Sequence, residues 1–228
     1  MWISVSLVQN LTSIQRTIKN ACKKSNRKIT EVSLLAVSKH QPISKIEEAY
    51  GLGLRDFGEN YVQELLQKKT ALQYLKDIRW HLIGPLQKNK VKQALTHADV
   101  FHALDSLNLA KEISKQAQKL KLQNPWPVFI QINLDHSPTK AGVSLDGLKE
   151  LLDFVLVTPQ LQLGGLMCLP EPQVPVERMR ESFRKLKNLA CMSKKPLKLS
   201  MGMSEDYEIA IEEGAHWIRI GRKLFGER

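Results

Sequence analysis

Val32-Ser-Leu-Leu-Ala-Val-Ser38, running into Lys39-His-Gln-Pro-Ile-Ser44, is the stretch that decides the fold. The first segment is apolar and rich in strand-forming residues, and the periodic pattern Ser44–Tyr50 behind it reads as a helix. Strand followed by helix is one βα unit. A doubly wound open sheet usually carries a glycine-rich turn at its first such junction. The junction Ser38-Lys-His-Gln-Pro-Ile-Ser44 contains no glycine, which points away from that fold.

The same alternation continues along the chain. Strands are expected at Val32–Ser38, Leu54–Gly58, Arg79–Gly84, Asp99–Ala103, Pro127–Leu134, Leu161–Cys168, Leu197–Ser200 and His216–Gly221. Between them, helical patterns cover Ser44–Tyr50, Glu59–Leu75, Gln87–Thr96, Leu107–Leu122, Leu145–Val157, Val176–Met192 and Glu205–Glu213, with a short turn at Arg222–Phe225. About eight strands is the number that closes a (β/α)8 TIM barrel. An extra helix, Leu7–Lys24, precedes the first strand and is expected to cover the barrel floor, while Asp135–Ala141 and Leu169–Pro175 read as loops.

A chain of 228 residues that is 43% hydrophobic is long enough for one sizeable core, so residues 1–228 are read as a single domain. Its start mixes polar residues into every apolar stretch, and no segment approaches the roughly 18 consecutive apolar residues of a membrane span. A cytoplasmic, monomeric protein is expected. Cys22, Cys168 and Cys191 are odd in number and widely spaced, without CxxC pairs or histidines at zinc-ligand spacing, so they read as reduced thiols and no metal site is expected. The net charge of +11 raises nucleic acid as a partner, but the basic residues are scattered and aromatics make up only 6% of the chain. Nucleic-acid binding is therefore disfavoured.

Working residues of a βα barrel lie where its strands end. Three features fall there. Lys39 follows the first strand, on the face of Leu35 and Val37 if alternation persists, so that its amine would rise from an apolar well and attack an aldehyde in its free form. On position alone it reads as a lysine snorkelling into water. Next, Ser200-Met-Gly-Met-Ser204 and Arg219-Ile-Gly-Arg222 follow strands seven and eight, the usual place for a phosphate in such barrels, and both offer small residues and backbone donors. Either junction alone would be a tight turn with Ser204 as a helix cap; both together, beside Lys39, favour phosphate. Finally, Arg219 lies inside the apolar run His216–Gly221, and a guanidinium facing the interior needs a partner: a pyridine nitrogen, or a buried carboxylate. Asn60 and His81 are weaker strand-end candidates, the first alternatively a cap and the second a satisfied barrel residue.

Leu35-Ala-Val-Ser-Lys39, Gly58-Glu-Asn-Tyr61, Trp80-His-Leu-Ile-Gly84 with Gln87 and Asn89-Lys90, Gly165-Leu-Met-Cys168, Leu199-Ser-Met-Gly-Met-Ser204 and Arg219-Ile-Gly221 with Phe225-Gly226 resemble the pyridoxal phosphate homeostasis protein family. That family is similar to the barrel domain of alanine racemase, of fold type III. The resemblance spans the chain. It implies pyridoxal 5′-phosphate as cofactor, held as a Schiff base on Lys39, with Arg219 facing the pyridine nitrogen and Asn60 near the ring oxygen. It further implies a phosphate held by Ser200 and the backbone of Gly221 and Arg222, with His81 and Met167 lining the pocket. Two positions depart from the family's pattern: Pro85 stands where histidine is expected, and Arg222 where a small hydroxyl residue is common.

An arginine opposite the pyridine nitrogen can only donate, which disfavours ring protonation and weakens the cofactor as an electron sink. Racemisation also needs a second proton-transfer residue, and Tyr50, Tyr61, Tyr74 and Tyr207 all fall in expected barrel helices or at their starts. The expected function is thus a carrier and buffer of the cofactor that supports vitamin B6 and amino-acid homeostasis, with apo enzymes as recipients. A small racemase-like enzyme using a base such as His81 is the alternative.

Overall fold

In the computed structural model, residues 5–135, 141–171, 173–193 and 197–226 are described. Eight strands form a closed, wholly parallel barrel in chain order: β1 (Ser33–Val37), β2 (Asp56–Glu59), β3 (Arg79–Leu82), β4 (Val100–Leu104), β5 (Trp126–Ile132), β6 (Leu161–Cys168), β7 (Lys198–Ser200) and β8 (Trp217–Ile220). Closure comes from β1 pairing with β8, with Leu35 opposite Arg219 and Ala36 opposite Ile220. Most strand residues are buried on both faces, as expected where helices cover a parallel sheet from outside.

The outer layer comprises α1 (Val5–Lys24), α2 (Ile43–Gly51), α3 (Val62–Ala71), α4 (Val91–His97), α5 (Leu107–Lys119), α6 (Leu145–Val157), α7 (Val176–Cys191), α8 (Tyr207–Glu212) and α9 (Arg222–Phe225). Their starts follow local chemistry. Ser106 and Ser144 cap α5 and α6 by accepting from the backbone N–H groups of Leu109 and Gly147. Apolar residues at helical spacing on α1, namely Leu7, Leu11, Ile14, Ile18 and Ala21, are buried.

The position of α1 corrects the expectation that it covers the floor. Near its start, Asn10 donates to the Leu224 carbonyl of α9, at the mouth. Just beyond its end, Arg27 donates to the carbonyls of Ile211 and Ala215, at the far end of α8. The helix therefore runs along the side of the barrel. Physically, α9 has a single turn and α8 fewer than two, so the ring has a gap that only a long amphipathic helix fills.

Inside the barrel, the pairing of β5 with β6 shifts register so that Phe129 lies opposite Gly165. A Cβ on Gly165 would lie 1.9 Å from the Lys198 carbonyl oxygen and 2.8 Å from the Phe129 ring. Only glycine fits between β7 and that ring. Most of the expected loop Asp135–Ala141, and Pro172 within Leu169–Pro175, lie outside the described residues.

Candidate functional site

At the mouth, β1 and β8 end side by side. An added Cβ at Gly221 would come 3.3 Å from the Val37 carbonyl oxygen, so the β8–α9 turn passes against the strand end that leads to Lys39. Leu35 shares its register with Arg219 and lies against Gly58, which identifies the inward face of β1 as that of Leu35 and Val37. Lys39 comes two residues later, in a turn, and is half-buried.

That turn is held from behind by a largely buried hydrogen-bond network. The Lys68 ammonium, itself buried on α3, donates to the Ser38 carbonyl (2.6 Å), to Glu59 (2.9 Å) and to Glu64 (2.7 Å). The Ser38 hydroxyl donates to the same Glu59 oxygen at 2.6 Å, and the His40 N–H donates to Glu64 at 2.5 Å. His40 adopts φ 61°, a left-handed conformation rare for a side-chain-bearing residue, and its hydrogen bond to Glu64 helps to fix it. Burial pushes the Glu59 carboxyl up to about 7, against the lowering effect of Ser38 and Lys68. Its second oxygen is buried without a hydrogen-bond partner, which suits a carboxyl that readily takes a proton.

Across the mouth the arrangement is different. Arg219 is fully enclosed and donates to two neutral oxygens, the Ser200 hydroxyl (2.8 Å) and the Cys168 carbonyl (2.9 Å). Among the described residues no carboxylate lies within ion-pair distance of it. Desolvation pushes its pKa down; Asp206, at a distance, acts the other way. The buried-carboxylate partner considered for Arg219 is thus not what the fold provides. Ser200 in turn meets His102, whose Nδ1 is 2.9 Å away. His102 Nε2 meets His81 Nδ1 at 2.9 Å, and His81 Nε2 meets Asp56 Oδ1 at 2.9 Å. His102 stacks on Phe129 with ring centroids 4.4 Å apart. Burial, followed by the proximity of His81 and Arg219, holds its pKa well below the usual histidine range.

The fold brings most of the expected site residues to one end. Met167 is buried on β6, directly opposite Ser200 on β7. Gly221 precedes α9 and Arg222 begins it. The Arg222 side chain extends over the surface, 3.7 Å from exposed Glu205. Asn60 does not cap α3, because that helix begins later than expected, with Tyr61 as its cap residue. Its backbone is locked instead by Gly84, where an added Cβ would lie 2.3 Å from the Asn60 carbonyl oxygen. Ser204 accepts from the Lys223 N–H at 3.4 Å, beside α9, while Asp206 is the cap residue of α8. Gly202, at φ 92°, makes the intervening turn, and a Cβ there would strike Ala210 at 2.5 Å.

His81 sits deeper than a pocket-lining residue, bonded on both ring nitrogens within the barrel. Two members of this chain, Asp56 and His102, were not singled out from sequence. The signal for His102 is present in Val100-Phe-His-Ala-Leu104: a polar residue in an apolar strand, the same reasoning that isolates Arg219.

A family model described as alanine racemase, N-terminal domain, matches residues 9–228. The chain belongs to that family. Within it, the chain is 42% identical over 225 residues to the pyridoxal phosphate homeostasis protein of Aquifex aeolicus, covering 96% of this chain and 97% of the relative. It is 39% identical over 228 residues to the protein of the same name from Escherichia coli, covering 97% of each. Among solved structures, PipY of Synechococcus elongatus with PLP bound is 35% identical at a TM-score of 0.81, covering 92% of this chain and 100% of PipY. The alanine racemase of Streptomyces coelicolor, at 16% identity and a TM-score of 0.73, shares the fold over 96% of this chain but only 59% of its own length.

The residues present suit such a cofactor. A buried guanidinium bonded only to neutral oxygens accommodates an uncharged ring nitrogen or an anion without displacing a carboxylate. Lys39 lies on the neighbouring strand end.

Proposed function

We propose that this protein holds pyridoxal 5′-phosphate reversibly on Lys39 and releases it, as a carrier and buffer serving vitamin B6 and amino-acid homeostasis. The observation that carries the reading is Arg219: a buried cation with no carboxylate at bonding distance among the described residues, beside the strand end that presents Lys39. In this reading the cofactor supplies an aldehyde. Lys39 supplies the amine, Arg219 donates toward the pyridine nitrogen, Asn60 lies near the ring oxygen, and Met167 packs beside them. Ser200 with the backbone of Gly221 and Arg222 holds the phosphate, and His81 acts through its neighbours.

A carrier rather than a racemase is favoured by where the tyrosines lie. The hydroxyls of Tyr50 and Tyr74 are bonded to Asp77 and Glu47, which push both phenols up in pKa. Tyr207 is buried and Tyr61 is exposed. His81 is enclosed between Asp56 and His102 and so has no free nitrogen for a substrate proton. The protein acts in this reading as a cytoplasmic, single-domain monomer, and apo enzymes that use the cofactor are its recipients. No helix among the described residues is long and apolar enough to cross a membrane.

The test is an absorption spectrum of the protein with added cofactor, repeated for Lys39→Ala. A visible Schiff-base band, lost with Lys39→Ala together with the borohydride-trapped adduct, is the expected outcome. Chiral analysis after incubation with L-amino acids should show no inversion. A trapped adduct that survives Lys39→Ala sinks the assignment.

A further inference from the structure

A single file of hydrogen bonds runs through the barrel from floor to mouth. Asp56 and Arg79 are the first residues of β2 and β3, and Ser200 is the last of β7. In a parallel barrel the starts of the strands share one end and their finishes the other. The file reads Arg79, Asp56, His81, His102, Ser200, Arg219, with every separation between 2.6 and 2.9 Å.

At alkaline pH, where an imidazole carries a single proton, the proton positions along the file follow by elimination. Two hydrogen bonds from Arg79 and His81 outweigh burial and hold the Asp56 carboxyl below its ordinary value, so it is an ionised acceptor. His81 must then donate from Nε2, which leaves its Nδ1 as acceptor. His102 donates to that atom from Nε2, so its own Nδ1 is an acceptor too. The Ser200 hydroxyl has one proton, and it goes to His102 Nδ1, while the Ser200 oxygen accepts from Arg219. In this state Ser200 turns only lone pairs toward the mouth, and a phosphate would meet repulsion there.

We propose that loading a phosphate at Ser200 reverses this file and draws one proton into the barrel from solvent, with Asp56, His81 and His102 acting as positioning residues for the Ser200 hydroxyl. The inference rests on the reading of Ser200 as a phosphate ligand. In the reversed order the Ser200 proton turns to a phosphate oxygen, and His102 donates to the Ser200 oxygen from Nδ1. His102 Nε2 becomes the acceptor for His81 Nδ1–H, and His81 keeps its Nε2–H toward Asp56. Counting protons, Ser200 and His102 hold one each before and after, while His81 goes from one to two. The added charge lies against the Asp56 carboxylate. Were Asp56 to hold the added proton instead, the count would be the same.

The charged groups around the file are consistent with that destination. Arg219 and His81 flank His102, which burial already keeps from charging, and Asp206 lies toward Arg219. At the floor the Asp56 side chain itself keeps 12% of its surface exposed beside Arg79, which is where the file meets solvent.

The test uses the intact protein and two aldehydes, pyridoxal 5′-phosphate and pyridoxal, which share the amine chemistry and differ in the phosphate. Calorimetry in buffers of different ionisation enthalpy, at alkaline pH, should count about one more proton taken up with the phosphate form. Affinity for that form alone should weaken by about tenfold per pH unit over the same range. Nitrogen-15 spectra should show His102 protonated on Nε2 in the free protein and on Nδ1 in the loaded one. Asp56→Asn supplies an amide that can donate to His81 Nε2 and accept from Arg79. In this variant His102 should already carry its proton on Nδ1 without ligand. If the Schiff-base band forms but the two aldehydes take up equal protons, or His102 keeps its Nε2 proton on loading, the file does not reverse and the inference is wrong. If no band forms with either aldehyde, it is the carrier reading that fails.

Discussion

The two sides of the barrel mouth both bury a cation, and they treat it in opposite ways. On the β1–β2 side, Lys68 is met by Glu59 and Glu64 and by the Ser38 carbonyl. On the β7–β8 side, Arg219 is met by a hydroxyl and a carbonyl, both neutral. A buried cation with its own carboxylates has a structural role, here to hold the turn that presents Lys39. One without them leaves electrostatic demand for something from outside, and that is where an acceptor or anionic ligand is best placed.

The comparison is broken most directly at Lys68. Lys68→Met removes the hub of the ionic side, and urea denaturation should show a loss of about 3–4 kcal/mol, near the low end for breaking a buried pair, because Glu59 can escape by protonation. The Schiff-base band should weaken as well, since the turn before Lys39 loses its anchor.

Glu59 gives the next largest effect, read against pH. Its carboxyl lies at about 7 in the fold against an ordinary 4.5, so between those values the native state holds a proton that the unfolded chain has released. Stability should therefore fall as pH rises through that window and level off above it, by about 3 kcal/mol in total. In Glu59→Gln the same denaturation series should be flatter by that amount.

On the other side, Arg219→Met should change the stability of the unloaded protein by less than about 1 kcal/mol, because relief of desolvation offsets two lost hydrogen bonds. Retention of the cofactor on dialysis should nevertheless fall by about tenfold to a hundredfold, the value of a hydrogen bond to a charged group. A stability loss equal to that of Lys68→Met would erase the distinction between the two sides. The smallest effect is expected at Arg222. Its exposed pairing with Glu205 contributes about 0–1 kcal/mol, so Arg222→Ala should leave both the denaturation curve and cofactor retention close to the parent. A large loss of retention would assign the guanidinium to the phosphate.

Periodicity made the elements legible where they are long and bounded by turn residues. Leu161–Cys168 and Leu145–Val157 have the observed ends. It failed where a tertiary contact extends or shortens an element. The expected helix Glu59–Leu75 loses its first residues because Glu59 stays in β2, facing Lys68, and Gly84 packs on Asn60. The expected helix at Glu205 starts at Tyr207, because the Met203 N–H donates to the Asp206 carboxylate and closes a separate turn. Gln87–Thr96 splits into a 3-10 turn at Lys88–Lys90 and the helix α4.

By itself the sequence determined the parallel eight-stranded order, the strand ends carrying Lys39, Ser200 and Arg219, and membership of a family. These depend on local periodicity and on residue types at strand ends, which are written along the chain. Only the tertiary structure decided what Arg219 is bonded to, that His81 belongs to a buried file with Asp56 and His102, and that Lys68 holds the turn before Lys39. Those partners come from strands and helices distant in sequence. Which cation gains a carboxylate and which does not is settled only when the barrel closes and brings them within bonding distance.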